Sequence, residues 1–122
     1  MDLAAKLQLK PGQTVALVGA PEDVATQLTG AAAGEADAVI AFVRSRDQLD
    51  SLAAPALAAA RADRPAWLAY PKAGKLGTDL NRDILRDALT GRGLQPVRQI
   101  AVDDTWSGLR LVVRLEHRAA RG

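Results

Sequence analysis

Three short apolar runs, at residues 14–18 (TVALV), 37–43 (DAVIAFV) and 65–70 (PAWLAY), constrain this chain more than any other feature. Each has the length of a strand and stops at Gly, Arg or Pro. None alternates apolar with polar residues, so each predicts a strand covered on both faces. The intervals between them are long enough for a crossover helix, which neighbouring parallel strands require.

The intervening sequence carries helix and turn signals. Residues 1–9 place Leu3, Ala4, Leu7 and Leu9 at the spacing of a short helix. Lys10-Pro11-Gly12-Gln13 reads as a turn, with Pro presetting φ and Gly supplying a positive one. Pro21, Glu22 and Asp23 suit the first turn of a helix, and Gly30 and Gly34 interrupt the Ala-rich stretch behind it. Leu49, Leu52 and Leu57 share a helical face, but Pro55 inside the pattern predicts a kink or two short helices. Thr78 or Asp79 is the expected cap of an amphipathic helix bearing Leu80, Ile84, Leu85, Ala88 and Leu89, ended by Gly91 and Gly93.

Residues 96–102 and 109–115 are two further strand patterns. The six residues between them are too few for a parallel crossover, so this pair is antiparallel. The expected fold is α/β: a single small Rossmann-like three-layer domain over residues 1–116, with a flexible tail at 117–122. Its five-stranded sheet is expected to be mostly parallel, with an antiparallel C-terminal hairpin strand.

Composition narrows the chemistry. There is no cysteine, which excludes disulfides, thiolate zinc sites and Cys nucleophiles. The single histidine, His117, lies in the polar tail and reads as a solvated side chain. Aromatics make up 3% of the chain, so the core must be built from Leu, Val, Ile and Ala. A net charge of +2 without a basic run argues against nucleic acid. No apolar stretch approaches the roughly 18 residues of a membrane span, and residues 1–10 lack a secretory pattern. A soluble, cytoplasmic domain is therefore expected.

In an open α/β sheet, ligands bind beyond the carboxyl ends of the strands. The residues expected on that rim are Arg44, Arg46, Lys72, Lys75, Asp79, Asp103, Asp104, Trp106 and Ser107. The Arg and Lys side chains, beside a helix N-terminus, could hold a phosphate or carboxylate. Asp103-Asp104 is a paired carboxylate suited to a metal or to acid–base work, but equally a turn. Trp106 could stack on a ring or edge the core, Trp67 reads as core, and Ser107 has no base nearby. Gly19-Ala20-Pro21 lacks the G-x-G-x-x-G fingerprint, and residues 73–78 lack the P-loop pattern. Neither a cofactor nor a metal is expected, and no catalytic residue is assigned.

Two resemblances add to this reading. The order of elements resembles a shortened S-adenosylmethionine-dependent methyltransferase. Residues 10–19 are similar to that fold's first strand, 37–43 to its fourth, 66–72 to its fifth, and 94–113 to its closing antiparallel hairpin. The strands between the first two are missing, with the acidic residue that grips the cofactor ribose, and the glycine-rich turn is reduced to Gly19. The resemblance implies the sheet and argues against the cofactor.

Nearly the whole chain also resembles a bacterial family catalogued as domain of unknown function 3052. The residues that carry this are Lys6-Leu7-Gln8-Leu9-Lys10-Pro11-Gly12, Phe42-Val43-Arg44-Ser45-Arg46, Tyr70-Pro71-Lys72, residues 75–82 (KLGTDLNR), Asp103-Asp104-Thr105-Trp106-Ser107 and Leu109-Arg110. That resemblance implies relatives and no activity. The function expected is a non-catalytic module whose basic rim takes an anionic small molecule or a protein partner. A degenerate methyltransferase-like enzyme and a weak nucleic-acid binder are the alternatives, and an exposed edge strand leaves a homodimer open.

Overall fold

The computed structural model of the chain describes residues 3–10, 13–25, 36–72 and 75–113. Expectations about Pro11, Gly12, Gly30, Gly34, residues 114–115, His117 and the tail at 117–122 lie outside these residues.

Helix α1 (Leu3–Lys6) leads to strand β1 (Val15–Val18), α2 (Glu22–Ala25) and β2 (Ala38–Phe42). A 3₁₀ turn at Arg46–Gln48 precedes α3 (Ala54–Arg61) and β3 (Ala66–Pro71). A second 3₁₀ turn, Lys75–Gly77, precedes α4 (Arg82–Thr90) and the hairpin of β4 (Leu94–Ala101) and β5 (Trp106–Val113). The strands form one sheet in the order β1-β2-β3-β5-β4.

The pairs β1–β2 and β2–β3 are parallel, while β3–β5 and β4–β5 are antiparallel. The sheet is therefore mixed, which corrects the expectation of a mostly parallel one. The cause is where the hairpin docks. Strand β5 turns inward to pair with β3, so it lies between two strands that run against it and both its ladders are antiparallel.

The central apolar runs are buried on both faces because alternate side chains leave a strand in opposite directions. On β2, Val39 and Ala41 join a cluster containing Leu57 of α3 and Leu85 and Leu89 of α4. Ala38, Ile40 and Phe42 join another, with Leu3, Leu7, Val24, Trp67 and Trp106. Strand β1 departs from expectation. It ends the sheet, and its Leu17 and Val18 are only half-buried.

Pro55 stands in the first turn of α3 instead of kinking a longer helix, since its missing N–H would be unpaired there anyway. Leu49 and Leu57 enter one cluster and Leu52 packs against it, but only Leu57 lies in a helix; Leu49 and Leu52 stand in the turns between the 3₁₀ turn, which buries no residue, and α3.

The cap of α4 is a correction. Asn81, not Thr78 or Asp79, accepts the Ile84 N–H, at 2.8 Å. Leu80 before the cap and Leu85 on the next turn enter the same cluster, as a hydrophobic staple does.

Strand β4 is the other edge, mostly exposed, with a register shift between Pro96 and Arg98. Proline and a bulge both discourage further strand pairing there. Among the described residues, no helix is long and apolar enough to cross a membrane.

Candidate functional site

The register gathers the carboxyl ends of β1 to β4 and the start of β5 on one rim. Val18 pairs with Ala41, Phe42 with Ala69, Pro71 with Trp106 and Ala101 with Ser107. Gly19 turns the chain off β1 at φ +69°, and a Cβ there would stand 3.0 Å from the Phe42 carbonyl oxygen. The chain's own close approach to β2 therefore demands this glycine.

Arg44 follows β2, with its backbone held on both sides. Its N–H donates to Gln48 Oε1 at 2.6 Å, and its carbonyl accepts from Thr78 Oγ1 at 2.8 Å. The guanidinium stands 5.7 Å from the centroid of the Trp106 ring, a cation–π contact worth about 0.5–1 kcal/mol at an exposed position. Trp106 is itself core: it is buried and meets Phe42 edge-to-face at 5.1 Å and 80°. The indole is a floor under the rim and does not offer a free stacking face.

Polar side chains already occupy several backbone donors that an anion could have used. The Arg46 N–H donates to Asp79 Oδ1 at 3.1 Å. The Thr105 and Trp106 N–H groups both donate to Asp103 Oδ1 at 2.8 Å. Asp103 is thus the turn-forming residue of the β4–β5 connection, while Asp104 beside it is exposed. Among the described residues, no group of three or more His, Cys, Asp and Glu could hold a metal ion.

Lys72 is half-buried and Lys75 exposed. The Lys72 N–H donates to the Thr105 carbonyl at 2.8 Å, and the Lys72 carbonyl accepts the Lys75 N–H at 2.9 Å. The loop after β3 is thereby tied to the β4–β5 turn.

Ser107 is separated from Trp106 by the pleat, which sends successive side chains to opposite faces. It pairs across the strands with Tyr70 and shares a side-chain hydrogen bond with it. Gln99 Nε2 donates to the same Tyr70 hydroxyl at 3.3 Å. Burial pushes the Tyr70 hydroxyl above its ordinary 10.0; the Ser107 bond and the Arg82 charge pull it down, and Asp83 pushes it up. The rim thus collects Arg44, Arg46, Lys72, Asp79, Asp103 and Trp106 through named contacts, whereas Ser107 belongs to the opposite face.

The sequence reading missed a second basic feature. Arg98 of β4 and Arg110 of β5 are direct cross-strand partners. The Arg110 guanidinium stands 6.0 Å from the Trp67 ring centroid and donates through Nη1 to Gln8 Oε1 at 3.1 Å. Burial lowers its pKa from the usual guanidinium value. Arg110 stands in an apolar run that hides it, and the bulge that sets its partner leaves no mark in sequence.

Two cavities lie away from the rim. An open groove of about 410 Å³ runs between α4 and β4, lined by Arg82, Arg86, Pro96 and Gln99 among others. A smaller space of about 110 Å³ adjoins Asp63, Arg64 and Arg110. No family model matches the chain, and searches of curated proteins and of solved structures return no match.

Proposed function

We propose that this domain is a non-catalytic binding module of Rossmann-like, three-layer design. Its strand-end rim receives an anionic group, carried by a small molecule or by a protein partner. The observation that carries this reading is Arg44. Its backbone is fixed by Gln48 and Thr78, and its guanidinium is presented over the buried Trp106 ring. Among the described residues, neither Arg44, Arg46, Lys72 nor Lys75 forms a salt bridge. The nearby carboxylates of Asp79 and Asp103 instead accept backbone N–H groups. Four basic side chains are left to meet a ligand from outside.

The segments that resemble domain of unknown function 3052 support a shared site. Residues 42–46, 70–72, 75–82 and 103–107 lie far apart in sequence and contribute to this one rim. Kinship with the S-adenosylmethionine-dependent methyltransferase sheet is the second reading. It is favoured by the antiparallel β5 inserted beside β3 at the closing end of the sheet. On that reading the domain is a degenerate relative, with Gly19 kept for its approach to Phe42.

A titration of ¹⁵N-labelled protein with citrate, followed by amide chemical shifts, tests the rim. Saturable changes at Arg44, Lys72 and Thr105, abolished in Arg44→Gln/Lys72→Gln, are expected. Shifts scattered over the surface, or unaltered in the double variant, refute the reading. A rise in Tm with S-adenosylmethionine would favour the second reading instead.

A further inference from the structure

We propose that the open groove between α4 and β4 docks an extended segment of a partner protein in which acidic and apolar residues alternate. Arg82 and Arg86 of α4 form one wall of this groove of about 410 Å³, and Pro96, Val97, Arg98 and Gln99 of β4 form the other. Among the described residues that line it, three are arginine and none is acidic. Arg82 and Arg86 stand four residues apart on α4, where like charges oppose each other. Asp83 serves both, at 4.0 Å from Arg82 and 3.5 Å from Arg86, and all three side chains are more than half exposed. One carboxylate shared at such distances leaves most of the guanidinium donors to water. Arg98 forms no salt bridge among the described residues. Val97, on the β4 wall, is 52% exposed, the one large apolar side chain so exposed among the described residues. A partner that covers the groove must therefore bring carboxylates to α4 and an apolar side chain to Val97.

The spacing fits an extended chain. Four residues of helix advance about 6 Å, and alternate side chains on one side of an extended peptide stand about 6.7 Å apart. Carboxylates two positions apart thus reach Arg82 and Arg86 in turn, and the residue between them faces the other way, toward Val97. A small molecule would remain largely in water here, because the groove is open and ligand pockets enclose most of what they bind. Pro96 has no N–H to offer, and the register shift between Pro96 and Arg98 interrupts the ladder, so side chains and not a continued sheet carry the recognition. Both walls are set before the partner arrives. Asn81 caps α4, and Gln99 Nε2 donates to the hydroxyl of the buried Tyr70. The groove lies away from the rim, so this proposal stands independently of the rim reading.

The probe is a five-residue peptide of alternating Glu and Leu with both ends blocked. Its control is a peptide of the same composition with the two Leu grouped at one end. Titrated into ¹⁵N-labelled protein, the alternating peptide should give saturable amide shifts at Arg82, Arg86, Val97 and Gln99. Arg82→Gln/Arg86→Gln should bind it about tenfold more weakly, the worth of two exposed ion pairs. Val97→Ser should weaken it as well, which a purely electrostatic contact would not show. The rim variant Arg44→Gln/Lys72→Gln should bind it unchanged. Arg82, Arg86 and Val97 are exposed, so both groove variants fold. Equal affinity for the rearranged peptide overturns the proposal, as do matching shifts from citrate at the same residues. So does unaltered binding by either groove variant, or binding lost in the rim variant instead.

Discussion

The Trp67 indole N–H donates to the Leu7 carbonyl oxygen at 3.2 Å, joining residues 60 apart in the chain. Trp67 is fully buried in β3, and Leu7 directly follows α1. A four-residue helix cannot hold itself in water, so α1 depends on such anchors. Trp67→Phe keeps an aromatic ring, removes the donor and leaves both a void and an unpaired carbonyl. It should lower unfolding stability by about 2–4 kcal/mol, read from urea denaturation. Amide exchange should quicken at Leu7 more than in β2. An effect below the size of an ordinary surface substitution would refute the anchor.

Gly19 and Gly77 both adopt positive φ, at +69° and +64°, but their surroundings differ. A Cβ at Gly77 meets nothing within 4 Å, whereas one at Gly19 stands 3.0 Å from the Phe42 carbonyl oxygen. Gly77→Ala should therefore cost only the left-handed penalty of about 1–2 kcal/mol. Gly19→Ala should cost more, because a backbone carbonyl inside the sheet must move. Equal losses in thermal unfolding would show that the approach of β1 to β2 is not constrained as described.

The two adjacent aspartates should separate cleanly. Asp103 accepts two backbone N–H groups at 2.8 Å. Asp103→Ala should then cost about 1–3 kcal/mol, and Asp103→Asn, whose amide oxygen can still accept, less. Asp104→Ala, at an exposed position, should change stability by less than about 0.5 kcal/mol. Comparable losses at the two positions would contradict a turn built on Asp103 alone.

The elements that sequence predicts best are those whose residues answer to one demand at a time. Within the run at 37–43, the residues from Ala38 to Val43 satisfy only burial, and β2 falls on them. Thr78 and Asp79 show the opposite case. Both are good caps in isolation, but Thr78 Oγ1 accepts the Leu80 N–H while donating to the Arg44 carbonyl, and Asp79 accepts the Arg46 N–H, so capping falls to Asn81. The bonds to Arg44 and Arg46 are tertiary contacts across more than thirty residues, and no local pattern contains them. The rim was legible because strand ends follow from strand patterns. Its internal wiring was not, and neither was the Arg98–Arg110 opposition. That pairing depends on the register of β4 against β5 and on the bulge after Pro96.

Tyr70 gives a test of the α4 side of the sheet, because it is the chain's single tyrosine. Burial favours its neutral form and raises its pKa above 10.0, against the opposing pull of Ser107 and Arg82. The phenolate absorbance of the folded protein should consequently appear at higher pH than that of the urea-unfolded chain. Ser107→Ala removes a bond that favours the ionised form, so it should move the midpoint further up. The linkage sign follows from the raised folded value. Tyr70's contribution to stability is complete below the unfolded pKa near 10 and is lost as pH climbs through the folded one. A folded midpoint at or below the unfolded one would mean that water reaches the hydroxyl, and the packing of Tyr70 against Ser107 and Gln99 would have to be redrawn.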